Sequence, residues 1–312
     1  MSILPLVSVV MSVYNNEEFV SHSIRSIVNQ SYRNFEFIIV NDGSSDGSRN
    51  IVLDWMKVDN RIIFIDRRNN RGLPYSLNEG IAIAKGKYIA RMDSDDIAVI
   101  DRFEKQVRFL ESRLEVDIVA GQVTRIDSKG MELESVEQPL SFKEIKSTAE
   151  FACPVCHPTY MVKKKAYMLL EGYREAFVYA QDYDFILRAI DRNLIIENMP
   201  DVLLQYRFLY HETSATKIHR QLYLGRQAIL LHKQRTNLGF ESEAASDKLN
   251  RTSFYAGALF SFSWTLRRKA LDAKLPKYLK YVLAFICSAL HYEVFYDSVR
   301  GLRLKLIRAK NF

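Results

Sequence analysis

The sequence predicts an α/β fold, a mainly parallel sheet flanked by helices, followed by a helical C-terminal extension. Three observations carry this. Over the first hundred residues, runs rich in β-branched residues alternate with segments of helical periodicity, the pattern of a parallel sheet covered on its faces. The apolar runs end in polar residues, and in such sheets ligands sit at the carboxyl ends of the strands. Beyond Thr216 the β-like runs stop and long helical patterns follow.

Element by element, "LVSVVMSVY" and "FEFIIVND" read as strands. Between them "EEFVSHSIRSIVNQ" sets Phe19, Val20, Ile24, Ile27 and Val28 at helical spacing, which completes one βαβ unit. "SSDGSRNIVLDWMKV" reads as the next helix, "RIIFID" as a third strand, "LPYSLNEGIAIAKG" as a helix closed by Gly86, and "KYIARM" as a fourth strand. After residue 100, "DRFEKQVRFLESR" reads as a helix and "VDIVAGQVTRID" as part of a strand pair at a sheet edge. "HPTYMVKK" and "DVLLQYRF" read as strands around the helix "QDYDFILRAIDR". The change in pattern near residues 212–217 divides the chain into an α/β part, 1–214, and a helical, basic part, 215–312.

Composition bounds the function. A chain of 312 residues that is 48% hydrophobic buries a sizeable core and is not a disordered protein. Its first residues lack a basic n-region and a small-residue cleavage site, so a cytoplasmic protein is expected. Three cysteines suit a reducing compartment, and "CPVC" (Cys153 to Cys156) lacks the second ligand pair that structural zinc requires. The net charge is +7, yet residues 251–312 hold 12 Lys and Arg against 3 Asp and Glu, so the preceding 250 residues carry −2. This basic tail interleaves its charge with "YLKYVLAFICSALHYEVFY", whose apolar core falls short of the roughly 20 residues of a membrane-spanning helix. A peripheral position on an anionic cytoplasmic leaflet is expected, with no nucleic-acid partner.

Two motifs carry chemistry. "YIARMDSDDI" concentrates Asp93, Asp95 and Asp96 where a strand ends, and carboxylates this close repel one another unless a cation, donors or water compensate them. Alone, the motif fits either a divalent-metal site or a solvated turn that caps a helix. "NDGSSDGS" sets Asp42 at a strand end, with Gly43 and Gly47 permitting a tight turn into the next helix.

These motifs lie in "VVMSVYNNEEFVSHSIRSIVNQSYRNFEFIIVNDGSSDGS", which with "NNRGLPYSLNEGIAIAKGKYIARMDSDD" resembles the family 2 glycosyltransferases. These are inverting enzymes of the GT-A fold that move sugars from nucleotide donors. The resemblance runs from Val7 to Gln106, resumes more loosely from His157 to Ser214, and covers about two thirds of the chain. It implies that Asp42 accepts a hydrogen bond from the uracil of a UDP-sugar, that Tyr14 packs on the base, and that Arg71 faces the diphosphate. It implies that Asp95 ligates Mn²⁺ or Mg²⁺, and that Asp93 reaches the ribose or a metal-bound water. Asp96 is expected to cap the following helix. "VYAQDYDFILRAI" resembles the family's E-D-x-D-L element, which makes Asp182 the general base and Asp184 a helix-start residue, with Gln181 in place of the usual glutamate. By the same resemblance His211, in "YRFLYHETS", approaches the metal although it lies two residues later than usual, and His157 is either a buried hydrogen-bonded residue or a substrate contact.

The resemblance and the basic tail together imply an acceptor such as a lipid-diphosphate-linked saccharide used in capsule, exopolysaccharide or O-antigen assembly. A sugar nucleotidyltransferase would carry a Gly-rich G-x-G-T-R loop after the first strand, and "SVYNNEE" has none. A noncatalytic nucleotide-sugar-binding or scaffold protein would have no use for both "DSDD" and Asp182.

Overall fold

A computed structural model of the chain describes residues 4–209, 215–239 and 266. Its first half follows the alternation in the sequence: β1 (Val7–Val13), α1 (Val20–Val28), β2 (Phe35–Asp42), α2 (Ser48–Val58), β3 (Ile62–Arg67), α3 (Leu73–Ile83) and β4 (Tyr88–Asp93). β1 pairs in parallel with β2 on one side and β4 on the other, and β3 lies outside β2. Helices cover both faces, so every residue of β2 is buried and its centre, Phe37 to Val40, is an unbroken apolar run instead of an alternation. The carboxyl ends of β1, β2 and β4 therefore emerge side by side.

The second half is β5 (Ile97–Ala98), α4 (Arg102–Ser112), β6 (Val116–Ile126), β7 (Glu132–Val136), α5 (Phe142–Ala149), β8 (Met161–Lys163), α6 (Lys164–Leu169), α7 (Gln181–Asp191), β9 (Ile195–Arg207) and α8 (Ala215–Leu238). Among the described residues the sheet has nine strands in the order β3-β2-β1-β4-β8-β6-β9-β5, with β7 also on β6. β8 runs antiparallel to both β4 and β6, whereas β6 and β9 are parallel.

Three local expectations are corrected. "VDIVAGQVTRID" is not at an edge: β6 sits between β8 and β9, which is why Val116, Ile118, Val119 and Ala120 are all fully buried. "HPTYMVKK" is a strand only over Met161–Lys163. His157–Thr159 form a 3₁₀ turn, because Pro158 has no N–H for a ladder and a φ suited to a turn. Gly86 does not close α3, which ends at Ile83 with Ala84 already extended; Gly86 lets the chain pass against β1, where an added Cβ would come 2.6 Å from Ser8 N and 2.8 Å from Leu6 O.

The chain divides into two units. The first comprises Met1–Ala149, Cys153–Glu175 and Phe185–Leu209 and holds the sheet; the second comprises Glu150–Ala152, Ala176–Asp184 and Tyr210–Phe312. In the second, α8 buries Leu224 and Ala228, and an added Cβ at Gly225 would lie 3.6 Å from the Tyr183 ring. Asp182 thus groups with the C-terminal part of the chain. Among the described residues no helix is long and apolar enough to cross a membrane. The basic stretch 251–312, Leu266 apart, lies outside the described residues.

Candidate active site

The loops that leave β1 and β2 are stitched together by side chains that accept backbone N–H groups. Asn15 takes the left-handed conformation (φ 47°), which asparagine tolerates. Its N–H donates to Ser44 Oγ at 3.1 Å while its Oδ1 accepts from Ser45 N at 2.8 Å. Asn16 N donates to Ser48 Oγ (2.7 Å), Glu17 N to Asp46 Oδ2 (3.0 Å), and Gly47 N to Glu17 Oε2 (2.6 Å). Tyr14 stands at the start of this mesh and is 50% exposed, so its ring is presented and not packed away.

Asp42, the last residue of β2, is buried. Its Oδ1 accepts Arg71 N at 2.8 Å and its Oδ2 accepts Gly72 N at 2.9 Å, and Arg67 Nη2 lies 3.1 Å from Oδ1. Asp42 and Arg67 face each other across the β2–β3 register, which is how the pair arises. The carboxylate thus fastens the turn that follows β3; Oδ1 already has two donors, and Oδ2, with one, keeps lone-pair capacity for a ligand. The exposed Arg71 guanidinium does not reach outward alone; it lies 3.3 Å over the Tyr75 ring, with Arg67 at 4.7 Å over the same ring. Gly43, next to Asp42, has φ +74°, and an added Cβ would meet Asn69 C and Asn70 N at 2.7 Å. Gly43→Ala is therefore expected to destabilise the protein by about 2–4 kcal/mol, from strain and from a clash with backbone that cannot give way. A urea-melt midpoint unchanged from wild type would contradict this.

At the end of β4, Asp93, Asp95 and Asp96 each offer an oxygen within 4.8 Å of the others, the single grouping of three or more His, Cys, Asp or Glu able to share an ion among the described residues. Arg91, two residues before Asp93 and so on the same face of the strand, ion-pairs with it through Nη2. Asp96 does not cap the next helix, whose N-cap position is Asp101. It is fully buried and accepts Arg207 N at 2.8 Å on Oδ1, while Oδ2 has no hydrogen-bond partner among the described residues. Arg207, at the end of β9, also donates from Nε to Asp95 O (2.9 Å) and from Nη1 to Asp127 O (2.7 Å) and Ser128 O (2.9 Å). From the other side Asn16 Nδ2 donates to Ser94 Oγ at 2.7 Å, so the acidic loop is tied both to the β1 loop and to β9.

Burial, and next the charge of Asp93, pushes the Asp95 carboxyl up to about 7 despite Arg91 and Arg207. Burial and the charges of Asp95 and Asp93 raise Asp96 well above the usual carboxylate range. Three carboxylates here cannot all be ionised cheaply without a cation, and a cation among them reverses the balance. The all-oxygen donor set and the unpartnered Asp96 Oδ2 fit a hard divalent ion such as Mg²⁺ or Mn²⁺.

Asp182 lies in the first turn of α7 and is partly buried, with Oδ1 accepting Tyr183 N at 2.8 Å. Asp184, Phe185 and Ile186 are fully buried. Gln181 is buried as well, and its Oε1 has no hydrogen-bond partner among the described residues. His157 is buried and hydrogen-bonded: its Nε2 meets Tyr173 Oη at 2.9 Å, Tyr173 Oη meets Tyr167 Oη at 2.9 Å, and burial together with Arg91 holds the imidazole well below its usual pKa and so neutral. His211 lies outside the described residues. The sequence reading missed Arg67, Arg91 and Arg207; for Arg91 a signal existed, since the alternation in "YIARMD" sets a basic side chain on the face of Asp93 within a buried strand.

The family model described as glycosyl transferase family 2 matches residues 8–169. The uncharacterized glycosyltransferase MJ1057 of Methanocaldococcus jannaschii is 38% identical over 220 residues, 70% of this chain and 76% of that protein. The O-antigen biosynthesis glycosyltransferase WbnJ of Escherichia coli is 31% identical over 218 residues, 69% of this chain and 84% of that protein. Among solved structures, S. aureus TarS 1–349 in complex with UDP-GlcNAc has a TM-score of 0.57 at 16% identity, covering 96% of this chain and 92% of that one. The mannosyltransferase PcManGT from Pyrobaculum calidifontis in complex with GDP-Man and Mn²⁺ has a TM-score of 0.58 at 17% identity, covering 96% and 85%. At these identities the likeness to the solved structures is one of fold, GT-A.

Proposed function

Because the chain belongs to glycosyl transferase family 2, we propose that it transfers a sugar, with inversion, from a UDP-sugar to a hydroxyl of a saccharide acceptor in polysaccharide assembly. The observation that carries this reading is the Asp93–Asp95–Asp96 cluster at the end of β4, inside the segment that the family model matches. The O-antigen role in the name of WbnJ supports the polysaccharide setting. Mn²⁺ and a nucleotide sugar in the PcManGT complex support the donor chemistry, and UDP-GlcNAc in the TarS complex supports the uridine base.

In this reading Tyr14 packs on the base and Asp42 accepts its N–H, while Arg71 attends the diphosphate. Asp95 would hold Mg²⁺ or Mn²⁺ directly, and Asp93 would reach the ribose or a water on the ion. When bound, the cation supplies Lewis-acid neutralisation of charge growing on the leaving diphosphate. Asp182 takes the proton of the acceptor hydroxyl as its oxygen forms a bond to the anomeric carbon, and the bond from that carbon to the diphosphate oxygen breaks on the opposite face. The division at residue 214, a lipid-diphosphate-linked acceptor and a peripheral position on the cytoplasmic face of the membrane belong to the same proposal, supported by the +9 charge of residues 251–312.

Thermal unfolding with a panel of nucleotide sugars, each with and without Mn²⁺, tests the donor. A ligand at a hundred times its Kd adds about 2.7 kcal/mol of stability. A UDP-sugar is expected to raise Tm more with the metal present than without it. A response confined to GDP-sugars would overturn the choice of base, and no response to any donor would overturn the reading.

A further inference from the structure

We propose that Arg91 is a positioning residue, a fixed counter-charge that withholds the acidic cluster from a lone cation and favours a cation that arrives with its diphosphate. This inference rests on the metal-dependent reading above. Arg91 is held on both sides of its backbone: its N–H donates to Tyr160 O at 2.9 Å, and its carbonyl accepts Arg102 Nη2 at 2.8 Å. The side chain is almost wholly buried, and among the described residues its ion pair is with Asp93. Nε and Nη1 meet no acceptor among the described residues, so the guanidinium is bonded to one carboxylate only, Asp93, and its charge acts on the other two of the same metal cluster.

The groups on its other side do not dilute that charge. His157 interacts with Arg91 electrostatically but is neutral and engaged by Tyr173, which in turn engages Tyr167. Arg91 is held in place, since the strand that carries it is paired to β1 and β8 and its side chain is buried. A divalent ion entering the cluster by itself therefore meets a positive charge already paired with Asp93, and opposite charges at ion-pair distance in a buried setting interact far more strongly than in water. A diphosphate entering by itself meets the same charge with the favourable sign. Ion and diphosphate together cancel, so Arg91 weights the site towards the pair.

Two variants separate this from a purely structural role. In Arg91→Met, Mn²⁺ binding to the nucleotide-free protein, followed by the electron paramagnetic resonance of unbound Mn²⁺, is expected to tighten about tenfold, while UDP binding in chelator, followed by calorimetry, weakens about tenfold. Arg91→Lys keeps the charge and loses the fork, and both affinities are expected to stay within about threefold of wild type. Parallel loss of both affinities in the Met variant, or a Lys variant that loses either affinity about tenfold, would overturn the assignment; the Lys arm carries the test if the Met variant does not fold. If wild-type protein bound no Mn²⁺ even with UDP present, the metal reading itself would fail, a result distinct from any pattern that counts against Arg91 alone.

Discussion

Asp182→Asn is expected to lower sugar transfer by about two decades or more while UDP-sugar and Mn²⁺ affinity stay near wild type. A sugar hydroxyl is a poor nucleophile at neutral pH, and a carboxylate that takes its proton contributes roughly 10²–10⁴ in rate. Asparagine preserves the shape, and its Oδ1 can still accept the Tyr183 N–H, so the turn stays intact while basicity is lost. The loss belongs in kcat and in kcat/KM alike, because the interaction forms only as the reaction proceeds. Asp184→Asn provides the contrast: Asp184 is fully buried in the same helix, so its replacement should reduce stability and leave the rate per folded molecule far less affected. Full transfer in Asp182→Asn beside abolished transfer in a stably folded Asp184→Asn would shift the assignment by two residues, and Gln181, buried beside Asp182, would be the first place to seek the cause.

Asp95→Asn is expected to weaken Mn²⁺ binding in the presence of UDP by about a hundredfold or more and to make the residual turnover indifferent to added metal. Loss of a group that merely supports a metal ligand typically costs 10–100-fold in affinity, and loss of the ligand itself should not cost less. The fold should survive, because the ties from Arg207 and Asn16 to this loop use the Asp95 carbonyl, the Asp96 side chain and Ser94 Oγ, none of which the substitution removes. Titration of Mn²⁺ into the UDP complex reads the affinity directly. Undiminished wild-type activity in chelator would refute the metal assignment at its root.

Much of the donor half was legible because each of its signals is local. β1, β2 and β4 are buried runs bounded by turns, β3 is a short β-branched run beside them, and the family resemblance lies along one stretch of chain. The acidic cluster is legible for the same reason, since its three residues span four positions. What sequence could not supply was the charge that faces it: Arg207 meets Asp96 from 111 residues away, and only the β5–β9 and β6–β9 pairings bring it there. Short elements escaped as well. β5 has two residues and β8 three, too few for any periodicity, and β7 reads "ELESV", exposed almost throughout and defined by its pairing with β6. The expected cap at Asp96 failed on the same ground, because a carboxylate near a helix start reads as a cap until a distant strand claims it.

The stitched loops after β1 and β2 have a consequence for how a donor would be received. Ordering a loop costs roughly 1–2 kcal/mol of backbone entropy per residue at room temperature. Here the amides of Asn15, Asn16, Glu17, Ser45, Gly47 and Ser48 each already hold a side-chain acceptor from within the two loops or the start of α2. That entropy is surrendered when the chain folds, not when a ligand arrives. A nucleotide docking against this surface finds it in its final shape, and its affinity is left to reflect the contacts it makes, undiminished by the freezing of the loops that make them.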